Sequence, residues 1–175
     1  MSNQIPERLI GFRAYVDGSP DASGIVDVEL PSLEAMSDTI SGAGIAGEIE
    51  SPTLGQFGAM GITINWRVVT APGLRLLAQQ YRPIEFRGGI QYTDPASGQL
   101  KPVTLRVATR AMPKNLSLGS LTVASAMDSS IEMEVPYLRI DIDGKLAFEL
   151  DKFNYVFNPD GTGDVLAAVR TAMGM

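Results

Sequence analysis

The sequence predicts a mainly β protein of the α+β kind, with one short internal helix and one C-terminal helix beside antiparallel strands. Three observations predict it. Apolar and polar residues alternate at period two over most of the chain, the pattern of strands that bury one face. Clusters of Gly, Pro, Asp and Ser separate these runs at hairpin spacing. Only two stretches, around residues 72–81 and 162–173, carry helical i, i+3, i+4 spacing. At 175 residues the chain suits one hydrophobic core, so residues 1–175 are expected to form a single domain.

Between Arg8 and Val16 the apolar set Ile10, Phe12, Ala14 and Val16 marks a strand. After the turn-forming residues 17–24, Val26, Val28 and Leu30 alternate with Asp27 and Glu29, and the two runs together predict an opening hairpin. Residues 33–57 fit no regular pattern: Leu33, Met36, Ile40, Ile45, Ile49, Leu54 and Phe57 are scattered among Gly and Ser. A loop of about 25 residues is long for a compact domain. Its apolar residues are therefore expected to dock onto something, most economically a neighbouring subunit.

From Met60 to Val68 one face carries Met60, Ile62, Ile64, Trp66 and Val68 and the other Thr63, Asn65 and Arg67, with Trp66 expected as a core anchor. Pro72 suits a first helical turn, and Leu74, Leu77, Ala78 and Tyr81 form the apolar stripe of a short helix stopped by Pro83. Ile84, Phe86, Ile90 and Tyr92, the turn at residues 94–98, then Val103, Leu105 and Val107 read as a second hairpin, in which Gly88 and Gly89 suggest a bulge or bend. A third hairpin is expected around Ile142, Asp143 and Gly144. As a three-residue loop it places Ile140 opposite Leu146, Leu138 opposite Phe148 and Asp141 opposite Lys145. The last helix is capped by Thr162 or Asp164 and packs Leu166, Val169 and Met173 on the sheets.

Composition closes many functions. There is no Cys and no His, which removes thiolate nucleophiles, cysteine zinc sites and the commonest general base. Neither catalytic nor metal-binding nor cofactor-binding residues are expected. No apolar run approaches the roughly 18 residues of a membrane span, and Glu7 and Arg8 interrupt the place where a signal peptide needs apolar residues, so no membrane insertion and a cytoplasmic origin are expected. The net charge of -6 is distributed in blocks: nine acids against two bases in residues 1–50, two against eight in 51–114, and nine against four in 115–175. Such blocks suit complementary faces in self-association as well as ordinary solvated surface.

Four motifs are weighed and set aside. Gly42, Gly44 and Gly47 match the spacing of a dinucleotide-binding turn, but Pro52 and Gly55 forbid the long helix that must follow, so a tight turn or close backbone passage is the better reading. Asp141, Asp143 and Gly144 resemble part of a calcium loop but lack its distal Glu. Glu132 with Glu134, and Glu149 with Asp151, each sit two apart as paired catalytic acids would, and as solvated strand faces also do. Arg67, Arg87, Arg106 and Arg110 lack the interleaved aromatics of a nucleic-acid platform, so interface salt bridges are the preferred reading.

The succession of residues 28–50 with Leu30-Pro31 and Leu33, the glycines from Gly42 to Gly47, the strand from Met60, a short helix, a late hairpin and a terminal Met173-Gly174-Met175 resembles the major tail tube proteins of contractile-tailed phages and R-type bacteriocins. The resemblance spans most of the chain. It implies two packed antiparallel sheets forming a β-sandwich or barrel, with sheets joining between subunits into a tube-lining barrel, and a structural rather than enzymatic role. It further implies self-association into homo-hexameric rings stacked into a hollow conduit for DNA or ions. The implied partners are a sheath protein and baseplate and tail terminator proteins, with DNA only as non-specific cargo. The particle, a virion tail or bacteriocin, would assemble in the host bacterial cytoplasm. Residues 33–57 then become an extended inter-subunit arm anchored by Leu33, Met36, Ile40, Ile45 and Ile49, with Gly42, Gly44 and Gly47 allowing close approach. Arg67, Glu132 and Glu134 are expected to face the lumen. Residues 114–127 are more apolar than this family suggests. The competing readings are a secretion-system tube protein and a monomeric β-barrel that binds a small ligand.

Overall fold

A computed structural model describes residues 4–19 and 25–175. In chain order the elements are β1 (Ile5–Val16), β2 (Ile25–Glu29), β3 (Ala35–Ser41), β4 (Glu48–Phe57), β5 (Gly61–Trp66), α1 (Ala71–Arg75), β6 (Arg82–Asp94), β7 (Gln99–Ser117), β8 (Ser129–Ile142), β9 (Lys145–Asp151), β10 (Val156–Asn158) and α2 (Ala167–Met173). The protein is mostly β, with two antiparallel sheets and two helices. The large sheet has eight strands in the order β1-β6-β7-β8-β5-β2, with β9 on β8 and β10 on β9; β3 and β4 form a separate two-stranded sheet.

The large sheet is built on the long hairpin of β6 and β7 and on β8, which changes partner along its length. Residues 129–134 of β8 pair with β5, and residues 137–142 pair with β9 on that same edge. The change falls at Pro136. Lacking an N–H, proline cannot carry a ladder through, and the flanking backbone bonds go to different elements: Val135 N–H to Met60 O at 2.9 Å and Lys152 N–H to Pro136 O at 3.0 Å. The fork lets the sheet fold around one core of Met60, Ile62, Ile64, Trp66, Ile84, Phe86, Val107, Ile131, Met133, Val135, Leu138 and Leu150. Each such side chain contributes about 1.5–3 kcal/mol by leaving water. Thr109, buried among them, donates its hydroxyl to Ile84 O at 3.0 Å, which satisfies a polar group that burial would otherwise penalise. Trp66 is buried as the alternation of β5 predicts.

The expected opening hairpin does not pair. β1 joins β6 and β2 joins β5, so these consecutive strands end the path at opposite edges. Period-two alternation identifies a strand but not its partner, and the long β6 offers β1 more ladder bonds than the five-residue β2 could. Residues 20–24, within the turn expected there, lie outside the described residues. A bulge in β1 at Ile10, where Leu9 pairs with Ile90 and Gly11 with Gly89, reverses the strand's facing; Leu9 turns toward the sheet interior and Ile10 outward. The bulge is therefore in β1, not at Gly88 and Gly89, which pair with β7 without interruption. Gly88 serves close packing instead: a Cβ there would stand 2.9 Å from Leu9 Cδ1 and 3.1 Å from Gly11 O.

The third hairpin is shifted from the expected register. Its loop is Asp143-Gly144, with φ of 52° and 72°, the pair of left-handed residues that a type I′ turn requires and that suits strand twist. Asp141 consequently opposes Leu146, and a bulge at Ala147 moves the register one residue further, so that Ile140 opposes Phe148 and Leu138 opposes Leu150. Asp141 is engaged by Arg106 and Arg139 rather than by Lys145.

Both helices are shorter than their spacing predicts. Thr70 caps α1 by accepting from Gly73 N–H at 3.2 Å, but the helix ends after Arg75, and the turns that follow change its phase. Leu76 is buried, while Leu74, Leu77 and Tyr81 stay exposed. In α2 the expected caps stand before the helix: Asp164 accepts from Phe157 N–H at 2.9 Å and Leu166 N–H at 3.1 Å and pairs with Arg170. Leu166 alone of the predicted stripe is buried, packed over Gly55; Val169 is half-buried and Met173 exposed.

Candidate assembly surfaces

Residues 33–57, which showed no regular spacing, form a hairpin of β3 and β4 that leaves the large sheet. Its base is fixed. Gly58 N–H donates to Glu34 O at 2.9 Å, Lys152 donates to Gly58 O, and Phe57 meets Phe157 edge-to-face at 5.1 Å. Its far part is not covered by the rest of the chain. Ile40 pairs directly with Ile49, so the two share a face, and they are 47% and 54% exposed; Met36 is 55% exposed. The other face carries Ser37, Thr39, Ser41, Glu48 and Glu50 in register, with Ser37 donating to Glu50 at 2.5 Å.

The hairpin thus has a more apolar face of Met36, Ile40 and Ile49, interrupted by Asp38 opposite Ser51, and a polar one, and both are exposed. Leu33 is exposed just before β3. Gly42, Gly44, Ile45 and Gly47 lie in the loop joining the strands, where Ile45 is half-buried and its N–H donates to Gly42 O at 3.1 Å. Gly44 and Gly47 adopt φ of 96° and 121°, conformations that other residues avoid. Apart from each glycine's immediate neighbours, no atom of the described residues lies within 4 Å of a Cβ built at Gly42, Gly44 or Gly47, so no close passage is seen there within the subunit.

A second surface is the outward face of β6, β7 and β8. Glu85 accepts from Arg106 at 2.7 Å and from Arg87, Arg106 reaches Asp141 at 3.3 Å, and Arg139 completes the row at 3.0 Å from Asp141. The hydrogen bond from Arg106, with help from Arg87 and against the effect of burial, lowers the Glu85 carboxyl to about 2. Arg13, Arg87 and Arg106 stand directly across from one another on β1, β6 and β7. Like charges so placed repel, and Glu85 between them offsets that repulsion. Arg87 also lies over the Tyr15 ring and Arg110 over that of Tyr137. Three of the four arginines noted in the sequence, Arg87, Arg106 and Arg110, do share this face, and the salt bridges of Arg87 and Arg106 are within the subunit.

Glu132 and Glu134 continue the same face, opposite Thr63 and Gly61. Glu132 is exposed; Glu134 is half-buried, accepts from Met60 N–H at 3.3 Å and lies 3.7 Å from Lys114. Arg67 is exposed just beyond β5, with its carbonyl accepting from Met127 N–H at 2.7 Å. The charged row escaped the sequence reading. Its signal was present in the alternation of Glu85 with Arg87 and of Arg139 with Asp141, but only the register brings these strands together.

Among the described residues no three Asp and Glu side chains gather as metal ligands, and no helix is long and apolar enough to cross a membrane. A core-bearing sheet thus carries a projecting hairpin with both faces exposed. Comparison with known proteins identifies the chain's class, a structural tail tube protein rather than an enzyme. Residues 6–174 match the family model of phage tail tube protein FII, and the chain belongs to that family of tail tube proteins. The tail tube protein of Escherichia phage P2 is 23% identical over 180 residues, covering 98% of this chain and 99% of that protein. Among solved structures, a chain of the sheath/tube terminator of an extracellular contractile injection system in its extended state shares the fold. Its TM-score is 0.53 at 16% identity, over 78% of this chain and 97% of that one. A chain of the sheath-tube complex of such a system is similar at a TM-score of 0.49 and 18% identity, over 74% and 87% of the two chains.

Proposed function

We propose that copies of this chain join into closed hexameric rings that stack into the hollow inner tube of a contractile tail. The observation that carries the reading is the uncovered apolar face of Met36, Ile40 and Ile49 on a chain of the tail tube family. Residues 33–57 act as the inter-subunit arm, with Leu33, Ile45 and the loop glycines at its ends. The large sheet supplies the wall, and the sheets of neighbouring subunits join into a tube-lining barrel; a ring that closes in this way leaves no open sheet edge.

The outward face of β6, β7 and β8 faces the lumen, together with Arg67, Glu132 and Glu134. Glu85 and Asp141 pair with Arg87, Arg106 and Arg139 there, while Arg67 and Glu132 have no ion pair among the described residues, and a wall of mixed, partly paired charge holds DNA or ions less firmly than an unopposed arginine face would. Sheath, baseplate and terminator proteins are the external partners, and assembly takes place in the host bacterial cytoplasm. Negative-stain electron microscopy of the purified chain across a concentration series tests the core of this reading. Hollow tubes with six-fold end views are expected; a chain that stays monomeric at every concentration and is absent from the tubes of particles made by its source overturns it.

A further inference from the structure

The loop between β7 and β8, residues 118–128, is stiffly built yet exposes aliphatic side chains. Ser120 N–H donates to Met127 O at 2.9 Å, Ser125 N–H to Thr122 O at 3.2 Å, and Met127 N–H to Arg67 O at 2.7 Å. Gly119 has φ of 74°, and a Cβ there would stand 1.8 Å from Met127 O, so only glycine allows the loop to close. At its tip Leu121 and Val123 are 88% and 96% exposed. A backbone already fixed loses little freedom on docking, which makes such a tip a preorganised contact rather than a slack connection.

A matching recess lies elsewhere on the same chain. The edge strands β1 and β2 face each other without pairing across an apolar cleft of about 80 Å³, lined by Leu9, Phe12, Val28, Leu30, Phe86 and Leu105. The loop follows Ser117, and Leu105 lies twelve residues back along the same strand. At about 3.3 Å per residue this is roughly 40 Å, so the loop cannot reach its own cleft, whereas a copy displaced along the strand direction can. Contact between different patches of identical chains closes into a ring or runs on as a filament according to its rotation, and a displacement along the strands suits the filament.

We propose that Leu121 and Val123 of one copy seat in the β1–β2 cleft of the next copy along the tube. This rests on the tube reading above and assigns one of its ring-to-ring contacts. The chain has no cysteine, which makes cross-linking clean. Leu121→Cys combined with Leu30→Cys, polymerised and then oxidised, is expected to give a ladder of disulfide-linked multimers on a non-reducing gel, while each single variant gives none beyond dimers. Tubes that form normally but cross-link no more than the single variants overturn the contact and leave the tube reading standing. If the double cysteine variant does not polymerise, Leu121→Asp with Val123→Asp decides. A rise of about tenfold or more in the concentration needed for polymerisation, with an unchanged melting temperature of the subunit, supports the contact. An unchanged threshold overturns it and returns the loop to some other partner, such as the sheath. Failure of the tube reading is visible separately, as a parent chain that forms no tubes at all.

Discussion

The hairpins β6–β7 and β3–β4 are built of the same kinds of residue and stand in opposite circumstances. In the first, Ile84, Phe86 and Val107 point into a core shared with β5 and β8, while the other face carries a charged row closed on itself by Glu85 and Asp141. In the second, Ile40 and Ile49 pair across the strands in the same way, but within one subunit both faces meet water. The contrast shows that apolar alternation specifies a face to be buried without specifying what buries it. In the large sheet the chain supplies its own cover; in the arm it leaves that to another molecule.

Substitution should separate the two hairpins, first through the stability of the isolated subunit. Ile131→Ala, in the core, is expected to lower unfolding free energy by about 2–5 kcal/mol, measured by urea denaturation; a loss as small as that of an arm residue would erase the distinction. Gly88→Ala should cost about 1–3 kcal/mol, since the new methyl meets the Gly11 carbonyl and Leu9 across β1. The neighbouring Gly89, with nothing within 4 Å of its Cβ position, is the control that should be far less sensitive.

Glu85 tests the charged face by pH. Its carboxyl is lowered in the fold from 4.5 to about 2, so its stabilisation is complete above about pH 4.5 and is lost as pH falls toward 2. Glu85→Gln should therefore cost about 1 kcal/mol at neutral pH, discounted because Arg87 and Arg106 are 58% and 45% exposed. Thermal melts of parent and variant should converge as the pH approaches 2; a gap that persists there would assign the effect to packing instead.

The smallest effect on the subunit should come from the arm. Ile40→Thr with Ile49→Thr, which keeps strand-forming residues and sets no like charges opposite each other, is expected to change subunit stability by less than about 0.5 kcal/mol per site, as for exposed positions generally. The same pair should abolish sedimenting polymer. Polymer formed at the parent's concentration would show that this face is not an interface.

The sequence by itself determined the strands whose partners lie on one buried side. Met60 to Trp66 alternates without interruption, and the turn at residues 94–98 joins β6 to β7 as its residues require. It also determined the Pro72 start of α1, because caps and turns are local chemistry. What only the tertiary structure decided is non-local. The partners of β1 and β2 and the outward facing of Ile10 depend on a ladder whose other strand is distant in sequence, and the register of the last hairpin depends on a bulge at Ala147 as well as on its Asp143-Gly144 turn. The arm was hidden for a related reason. Met36 with Ile40, and Ile45 with Ile49, are spaced four apart, a helical interval, and only the pairing of Ile40 with Ile49 shows that Met36, Ile40 and Ile49 belong to strands and Ile45 to the loop between them. Periodicity reports how a segment meets its surroundings, and where those surroundings are a distant strand or another subunit, the segment alone does not contain them.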